Sequence, residues 1–322
     1  MSGGGVQSRY RDVVRIRAVF LAAMLARASV AWGDDLVWTP TGPFEGASIM
    51  ALGADPHTPG TLYASVYGEG FFKSTDSGLT WSPADAGLPT ASGPVISIAF
   101  EAASPEAVWV VASEQLHRSA DGGATWTYVP LPTDYGGEYF YLHVASVATD
   151  PNVPDLVYAA VWLSGVNSIW PEHAVMSTNG GADWSVLPVY TGYTGCGIRV
   201  DPFSSAVYFA GPFVSHDFGE TWTADEGLSC GALAWDPSDR SILYLGRSEG
   251  VDRSLDGGAT WIPVNEGLNG LGVGSLAVDP FDPTRVYAGT GSGIFTRIFP
   301  KRAEPTLATR SRPHPRRALE RP

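Results

Sequence analysis

Three carboxylates near the middle of the chain have the residue types that acid–base chemistry requires. Asp134 and Glu138 lie close together, Glu172 follows further along, and His143 and His173 are their neighbours in the sequence. Glycoside hydrolysis uses two carboxyl groups, about 5 Å apart in retaining enzymes and about 6.5–9.5 Å apart in inverting ones. The sequence does not set these separations. Catalysis by this group is therefore a hypothesis, and we favour a binding role without catalysis.

The same segments are rich in aromatic residues outside any repeated pattern. Exposed, flat aromatic side chains are suited to stacking on sugar rings or to holding a protein surface, although a loop packed on itself is the alternative. The candidate ligand-binding residues are Tyr135, Tyr139, Tyr141, Trp162, Trp170, Tyr190 and Tyr193. We therefore expect a glycan or protein ligand.

An octapeptide of the form Ser-x-Asp-x-Gly-x-Thr-Trp recurs in four copies and one degenerate copy at 177–184, and it must position these segments. Its third positions are Asp76, Asp121, Asn179, Asp217 and Asp256. Glycine permits the positive φ of a tight turn, and serine and aspartate side chains satisfy backbone N–H groups. One carboxylate per turn is too few for calcium, which takes six to eight oxygens. The motif is therefore structural, and we expect no metal and no cofactor.

Asp-Pro turns, each followed by a strand containing tyrosine, alternate with the octapeptides. Each unit of about 40 residues then holds four short strands, which is the blade of a β-propeller. We expect strand two to end near the tyrosine and strand four to begin at the tryptophan. The strand-four tryptophans are Trp38, Trp81, Trp126, Trp184, Trp222 and Trp261.

Six tryptophans predict an all-β fold of six four-stranded antiparallel blades. The segment 36–39 matches only strand four, and 293–297 matches only strand three. The N-terminal strand should therefore pair onto the last blade, which closes the ring and removes exposed sheet edges.

The third repeat is enlarged. Successive octapeptides are 45, 58, 38 and 39 residues apart, and the long interval gains its residues at 130–143 and 164–173. In propeller topology these connections emerge on one face, together with 188–196. Long loops on a rigid scaffold commonly carry function, which places the candidate site on this face of blade three.

Charge and the chain ends divide the molecule into three parts. Residues 1–33 resemble a signal peptide or leader, 34–299 form the propeller, and 300–322 form a basic tail expected to be disordered. The body has 8 basic and 30 acidic residues, which argues against a nucleic-acid partner. No apolar run is long enough to span a membrane. We expect a secreted or periplasmic monomer.

The repeats resemble the BNR/Asp-box repeat, and the resemblance covers about residues 34–299. Propellers of this kind include sialidases, xyloglucan-type glycoside hydrolases, sortilin-like receptor domains and photosystem II assembly factors. Sialidases clamp a carboxylate with three arginines and carry an Arg-Ile-Pro motif, which is absent here. Arg118, Arg253 and Arg297 occupy one repeated position beside the octapeptide and belong to the blade pattern, so the sialidase site is not matched.

The xyloglucan-acting enzymes share the order of turn, tyrosine and octapeptide. Their resemblance implies a general base in a Thr-Asp-Val-Gly-Gly segment, where this chain has residues 65–70 without an aspartate. Glu69 is the candidate substitute, and an ordinary solvated glutamate is the alternative. Those enzymes also pair two propellers, whereas one is predicted here.

Three functions follow in order of preference. The first is an exported, non-catalytic propeller that binds a glycan or protein through blade three. The second is a glycoside hydrolase related to the xyloglucan-acting enzymes, and the third is an assembly factor for an extracytoplasmic complex.

Two cysteines precede the innermost strands of consecutive blades. In an exported protein Cys196 and Cys230 could form a disulfide between blades four and five. Two buried free thiols are the alternative.

Overall fold

The computed structural model describes residues 37–89, 93–132, 141–164, 171–192, 197–211, 213–224 and 231–300. Within these ranges the chain forms six four-stranded antiparallel sheets and no helix. The described residues thus hold no helix that could cross a membrane. The all-β, six-bladed propeller predicted from the repeats is confirmed.

In blades one to five the strands follow the chain from the innermost to the outermost, whereas the outermost strand of blade six is β1. Blade one is β2 (Ile49–Ala54), β3 (Leu62–Val66), β4 (Gly70–Ser74) and β5 (Ser82–Pro83), and blade two is β6 (Val95–Phe100), β7 (Val108–Ala112), β8 (Gln115–Ser119) and β9 (Thr127–Tyr128). Blade three is β10 (Tyr141–Thr149), β11 (Val157–Ser164), β12 (Pro171–Ser177) and β13 (Ser185–Gly192), and blade four is β14 (Ile198–Val200), β15 (Val207–Phe209), β16 (Phe213–Ser215) and β17 (Thr223–Ala224). Blade five is β18 (Ala232–Trp235), β19 (Leu243–Arg247), β20 (Gly250–Ser254) and β21 (Ile262–Pro263), and blade six is β22 (Val273–Val278), β23 (Arg285–Thr290), β24 (Gly293–Ile298) and β1 (Thr39–Thr41).

The ring closes as expected, because β1 completes blade six. Thr39 lies opposite Thr296, and Thr41 lies opposite Ile294, in an antiparallel ladder. The adjacent Trp38 is 2% exposed, and its Nε1 donates a hydrogen bond to the Val264 carbonyl at 2.6 Å. The two ends of the described propeller are thereby joined through backbone pairing and a buried indole.

In the five blades that have it, the tyrosine is the second or third residue of strand two and does not lie near the strand's end as predicted. Blade two has Trp109 at this position. Tyr63 is the second residue of β3 and is fully buried, and its hydroxyl donates to the Gly122 carbonyl of the next octapeptide at 2.8 Å. Tyr287 makes the equivalent bond to the Ser77 carbonyl at 3.4 Å. This hydrogen bond requires the tyrosine to lie beside the octapeptide of the next blade. The tyrosine therefore lies near the start of its strand.

Strand four begins one residue after its tryptophan, which corrects the predicted start. The indole Nε1 of Trp81 donates back to the Gly78 carbonyl at 3.0 Å, so this tryptophan belongs to the turn. Trp184 and Trp222 do the same with Gly181 and Gly219.

The octapeptide is a closed hydrogen-bonded turn. Asp76 Oδ1 accepts from the Ser74 hydroxyl and the Thr80 N–H, both at 2.8 Å, and its Oδ2 accepts from the Thr80 hydroxyl at 2.6 Å. Gly78 has a φ of +86°, and its N–H donates to Ser74 Oγ. The copies at Asp121, Asp217 and Asp256 repeat these aspartate bonds.

The core lies between adjacent blades. Tyr63, Phe71, Val110 and Trp126 form one buried cluster between blades one and two, for example. Large side chains on both faces of each sheet hold the blades at fixed positions around the axis, which gives rigid support to the connections at either end.

Candidate functional site

Blade three extends beyond the other blades. Its four strands have nine, eight, seven and eight residues, whereas every other described strand has six or fewer. The extension lies on the side of the ring that carries the hairpins between second and third strands, which we call the upper face. There the ladder runs from His143 to Trp162, from Trp162 to Glu172, and from Glu172 to Thr191.

An imidazole and an indole stack at this end of the blade. The rings of His143 and Trp162 are 3.7 Å apart between centroids and inclined by only 6°. Tyr141 lies two residues before His143, is 70% exposed, and has its ring centroid 6.5 Å from the imidazole. Trp162 is consequently half-buried, and Tyr141 presents its face to solvent.

Both nitrogens of His143 have hydrogen-bond partners. Nδ1 lies 2.5 Å from Glu114 Oε2, and Nε2 lies 2.9 Å from Ser164 Oγ. Glu114 is at the tip of the β7–β8 hairpin of blade two with a φ of +61°, and its carbonyl also accepts the Val144 N–H at 2.8 Å. Blades two and three are thus tied together at their upper ends.

Glu172 and Tyr190 differ sharply in exposure. Glu172 is fully buried, whereas Tyr190, on the outer strand, is 73% exposed. The ring of Tyr190 lies 6.0 Å from that of His173, and burial lowers the pKa of His173 below its usual value, which favours the neutral imidazole.

The structure brings four candidate residues together on blade three: Tyr141, Trp162, Glu172 and Tyr190. Glu69 lies elsewhere, exposed in the β3–β4 hairpin of blade one. The remaining candidates lie outside the described residues; these are Asp134, Tyr135, Glu138, Tyr139, Trp170, Tyr193, Cys196 and Cys230.

The inner strands surround an axial cavity of about 870 Å³. Arg199 and Arg247 both line it; Arg199 Nη2 donates to the Gly231 carbonyl at 2.5 Å, and Arg247 pairs with Asp252. Burial lowers the pKa of Arg199 below its ordinary value. The lining also includes glycines, which add no side chains to the cavity wall; these are Gly197, Gly231 and Gly272.

The arginines at the repeated position beside the octapeptide contact other residues of the blades. Arg118 bonds Glu101 through two nitrogens at 2.7 and 3.0 Å, and the guanidiniums of Arg253 and Arg297 lie 4.6 and 4.8 Å from the Phe299 ring centroid. The Arg118 pair lies within blade two, and the contact between Arg253 and Phe299 joins blades five and six. None of the three arginines lines the axial cavity, which agrees with the mismatch to a three-arginine carboxylate clamp.

Comparison with known proteins identifies the repeat. The BNR/Asp-box repeat family matches residues 213–224. The xyloglucanase Xgh74A of Acetivibrio thermocellus is 28% identical over 190 residues, which is 44% of this chain and 22% of that protein. The chain therefore matches about a fifth of the length of this curated relative.

A solved structure shares the fold. The GH74 xyloglucanase of Xanthomonas campestris superposes with a TM-score of 0.51 at 16% identity, covering 83% of this chain and 54% of that one. YCF48 of Cyanidioschyzon merolae gives a TM-score of 0.44 at 13% identity, covering 82% and 99%.

Proposed function

We propose that this chain, a six-bladed propeller of BNR/Asp-box repeats, binds a glycan through the upper end of blade three. The observation that carries the proposal is the pair of exposed tyrosines, Tyr141 and Tyr190, on strands that project beyond every other blade. Sugar rings present apolar C–H faces, and rigid aromatic side chains contact them at a small entropic cost. The similarity to a xyloglucanase supports a β-linked glucan as the first ligand to try.

Binding can be measured by isothermal titration calorimetry with xyloglucan oligosaccharides and a panel of other glycans. We expect Tyr141→Ala and Tyr190→Ala each to weaken binding about tenfold, which corresponds to about 1.4 kcal/mol. Tyr128→Ala is the matched control, because Tyr128 is 54% exposed on the outer strand of blade two. An equal loss of affinity in all three variants, or no binding to any glycan, would exclude this surface as a glycan-binding site.

Glycoside hydrolysis is the second candidate, and the 28% identity to a xyloglucanase is the observation that favours it. The burial of Glu172 and the position of Glu69 on another blade favour binding over hydrolysis. A reducing-end assay on the same glycans separates the two. Hydrolysis that is lost in Glu172→Gln or Glu69→Gln would replace the first proposal with the second.

We further propose export, with residues 1–33 as the leader and 300–322 as a separate tail. Arg199 of blade four bonds Gly231 of blade five, so the inner strands that follow Cys196 and Cys230 are neighbours, which supports a disulfide between them. N-terminal sequencing of the mature protein tests the leader. Titration of two thiols in the unreduced, unfolded protein would exclude the disulfide.

A further inference from the structure

At the upper ends of blades two and three, hydrogen bonds join the side chains of a serine, a histidine and a glutamate. Ser164 Oγ is 2.9 Å from His143 Nε2, and the other ring nitrogen, Nδ1, is 2.5 Å from Glu114 Oε2. The three residues come from the end of β11, the start of β10 and the β7–β8 hairpin. Nucleophile, base and orienting acid in this order form the arrangement of a serine hydrolase, which recurs on unrelated folds.

The hydrogen-bond roles follow from the chemistry of the three groups. An ionised carboxylate can only accept, so His143 Nδ1 carries the hydrogen that faces Glu114. Nε2 of the neutral ring is then the acceptor, and the Ser164 hydroxyl donates to it. This is the tautomer that a general base needs in order to take a proton from serine.

The surroundings hold the imidazole in place while leaving it accessible. The Trp162 indole lies parallel to the imidazole and restrains its rotation, and the His143 side chain keeps 21% of its surface exposed. Glu114 is half exposed and is held at a positive φ in the hairpin. Ser164 is partly exposed at the end of β11, opposite Tyr141, whose ring is exposed.

We propose that Ser164, His143 and Glu114 form an esterase site for carboxylic esters. As Ser164 Oγ bonds to the ester carbonyl carbon, its proton passes to His143 Nε2. The carbon–oxygen bond to the alcohol then breaks, and the alcohol leaves with the proton from Nε2. Water attacks the acyl-serine, gives its proton to Nε2, and the collapse returns that proton to Oγ. One ester and one water become one acid and one alcohol.

Within this site Ser164 and His143 are the catalytic residues, and Glu114 is a positioning residue. The Glu114 carboxylate lies at Nδ1 of the imidazole, away from Ser164, where it fixes the tautomer and stabilises the imidazolium that forms during each transfer. The esterase proposal does not depend on glycan binding, because its reacting groups are separate from Tyr190 and from the outer strand of the blade.

The test uses the full chain with two probes, p-nitrophenyl acetate for turnover and a fluorophosphonate for covalent labelling. We expect labelling at Ser164, located by peptide mapping, and a loss of at least about 100-fold in turnover for Ser164→Ala and His143→Gln. Ser248→Ala is the control, since Ser248 is an exposed serine of the β19–β20 hairpin. Thermal unfolding of each variant establishes that it is folded.

Glu114→Gln tests the positioning role through a pH profile. The amide no longer stabilises the imidazolium, so the acidic limb of kcat/KM should move to lower pH while its plateau falls. A purely structural residue would lower the plateau without moving the limb. Labelling that persists in Ser164→Ala, turnover that depends on His143 but not on Ser164, or wild-type turnover no faster than free imidazole would each overturn the proposal.

Discussion

Trp109 Nε1 donates a hydrogen bond of 2.6 Å to Glu101 Oε1 inside blade two. The other blades have tyrosine and aspartate at these two positions, as in the pair Tyr63 and Asp55 of blade one. Asp55 accepts from the N–H of His57 within its own turn, whereas the longer Glu101 reaches the indole and also pairs with Arg118. Tryptophan in place of tyrosine and glutamate in place of aspartate therefore compensate each other in blade two.

This compensation predicts a coupled pair. Trp109→Tyr or Glu101→Asp alone breaks a hydrogen bond to a carboxylate that is 3% exposed, and each should lower the free energy of unfolding by about 2 kcal/mol. The double variant restores the combination found in the other blades and should be at least 0.5–1 kcal/mol more stable than the sum of the single effects predicts. Urea denaturation of the four proteins measures the coupling, and strictly additive effects would contradict it.

Acid should destabilise the octapeptide turns. The Thr221 and Ser215 hydroxyls and the Thr221 N–H lower the pKa of Asp217 from 3.8 to about 2, and Asp121 is lowered likewise to about 2. Because the folded-state pKa is the lower one, the stabilisation is present above pH 3.8 and is lost as the pH falls toward 2.

Asp217→Asn should therefore show a shallower fall in unfolding free energy between pH 5 and 2 than the wild type. Glu220→Gln changes a neighbouring exposed carboxylate of the same turn and serves as the control. If both variants titrate like the wild type, the turn makes no contribution to the acid transition.

The blades could be predicted from the sequence because each one is encoded locally. The octapeptide closes within eight residues, as the bonds from Asp76 to Ser74 and Thr80 show, and it recurs often enough to fix the blade count. The prediction that strand two ends near its tyrosine was wrong because Tyr63 is placed by Gly122 of the next blade, a contact between residues far apart in the chain.

The cluster around His143 could not be predicted for the same reason. Glu114 reaches it from another blade through a two-residue hairpin in which Ser113 and Glu114 both have positive φ without being glycine, so no turn signal marked the position. The enlarged third repeat did direct attention to the blade with the longest strands. The stack that half-buries Trp162 depends on cross-strand register, which composition does not reveal.

In the third octapeptide, the side-chain hydrogen bond between positions three and seven has the opposite direction. Asn179 Nδ2 donates to Asp183 Oδ2 at 2.9 Å, where the other copies have a threonine hydroxyl donating to aspartate. Asn179→Asp would place two carboxylates against each other and should lower stability by about 1 kcal/mol at pH 7. Asn179→Asp combined with Asp183→Thr recreates the common motif and should recover the loss. Thermal unfolding at pH 7 compares them, and a double variant less stable than the single one would refute the inversion.

Closure of the ring should depend on Trp38 more than on any tryptophan that bonds within its own turn. The Trp38 indole is 2% exposed, packs at an edge against Phe299, and donates to Val264 on blade five. Trp38→Ala should cost about 3–5 kcal/mol, the usual range for a buried tryptophan, and should also release β1 so that the edge of β24 is open to pairing with other chains.

Trp222→Ala is the matched comparison, since Trp222 is half-buried and its Nε1 bonds Gly219 three residues away. Trp38→Phe separates packing from hydrogen bonding, because Arg297 Nη1 also donates to the Val264 carbonyl at 2.9 Å and keeps that oxygen satisfied. We therefore expect Trp38→Phe to cost about 1 kcal/mol and to remain monodisperse, whereas Trp38→Ala unfolds at lower urea and scatters light on warming. Equal stability and equal scattering for Trp38→Ala and Trp222→Ala would show that β1 is held by its backbone ladder alone.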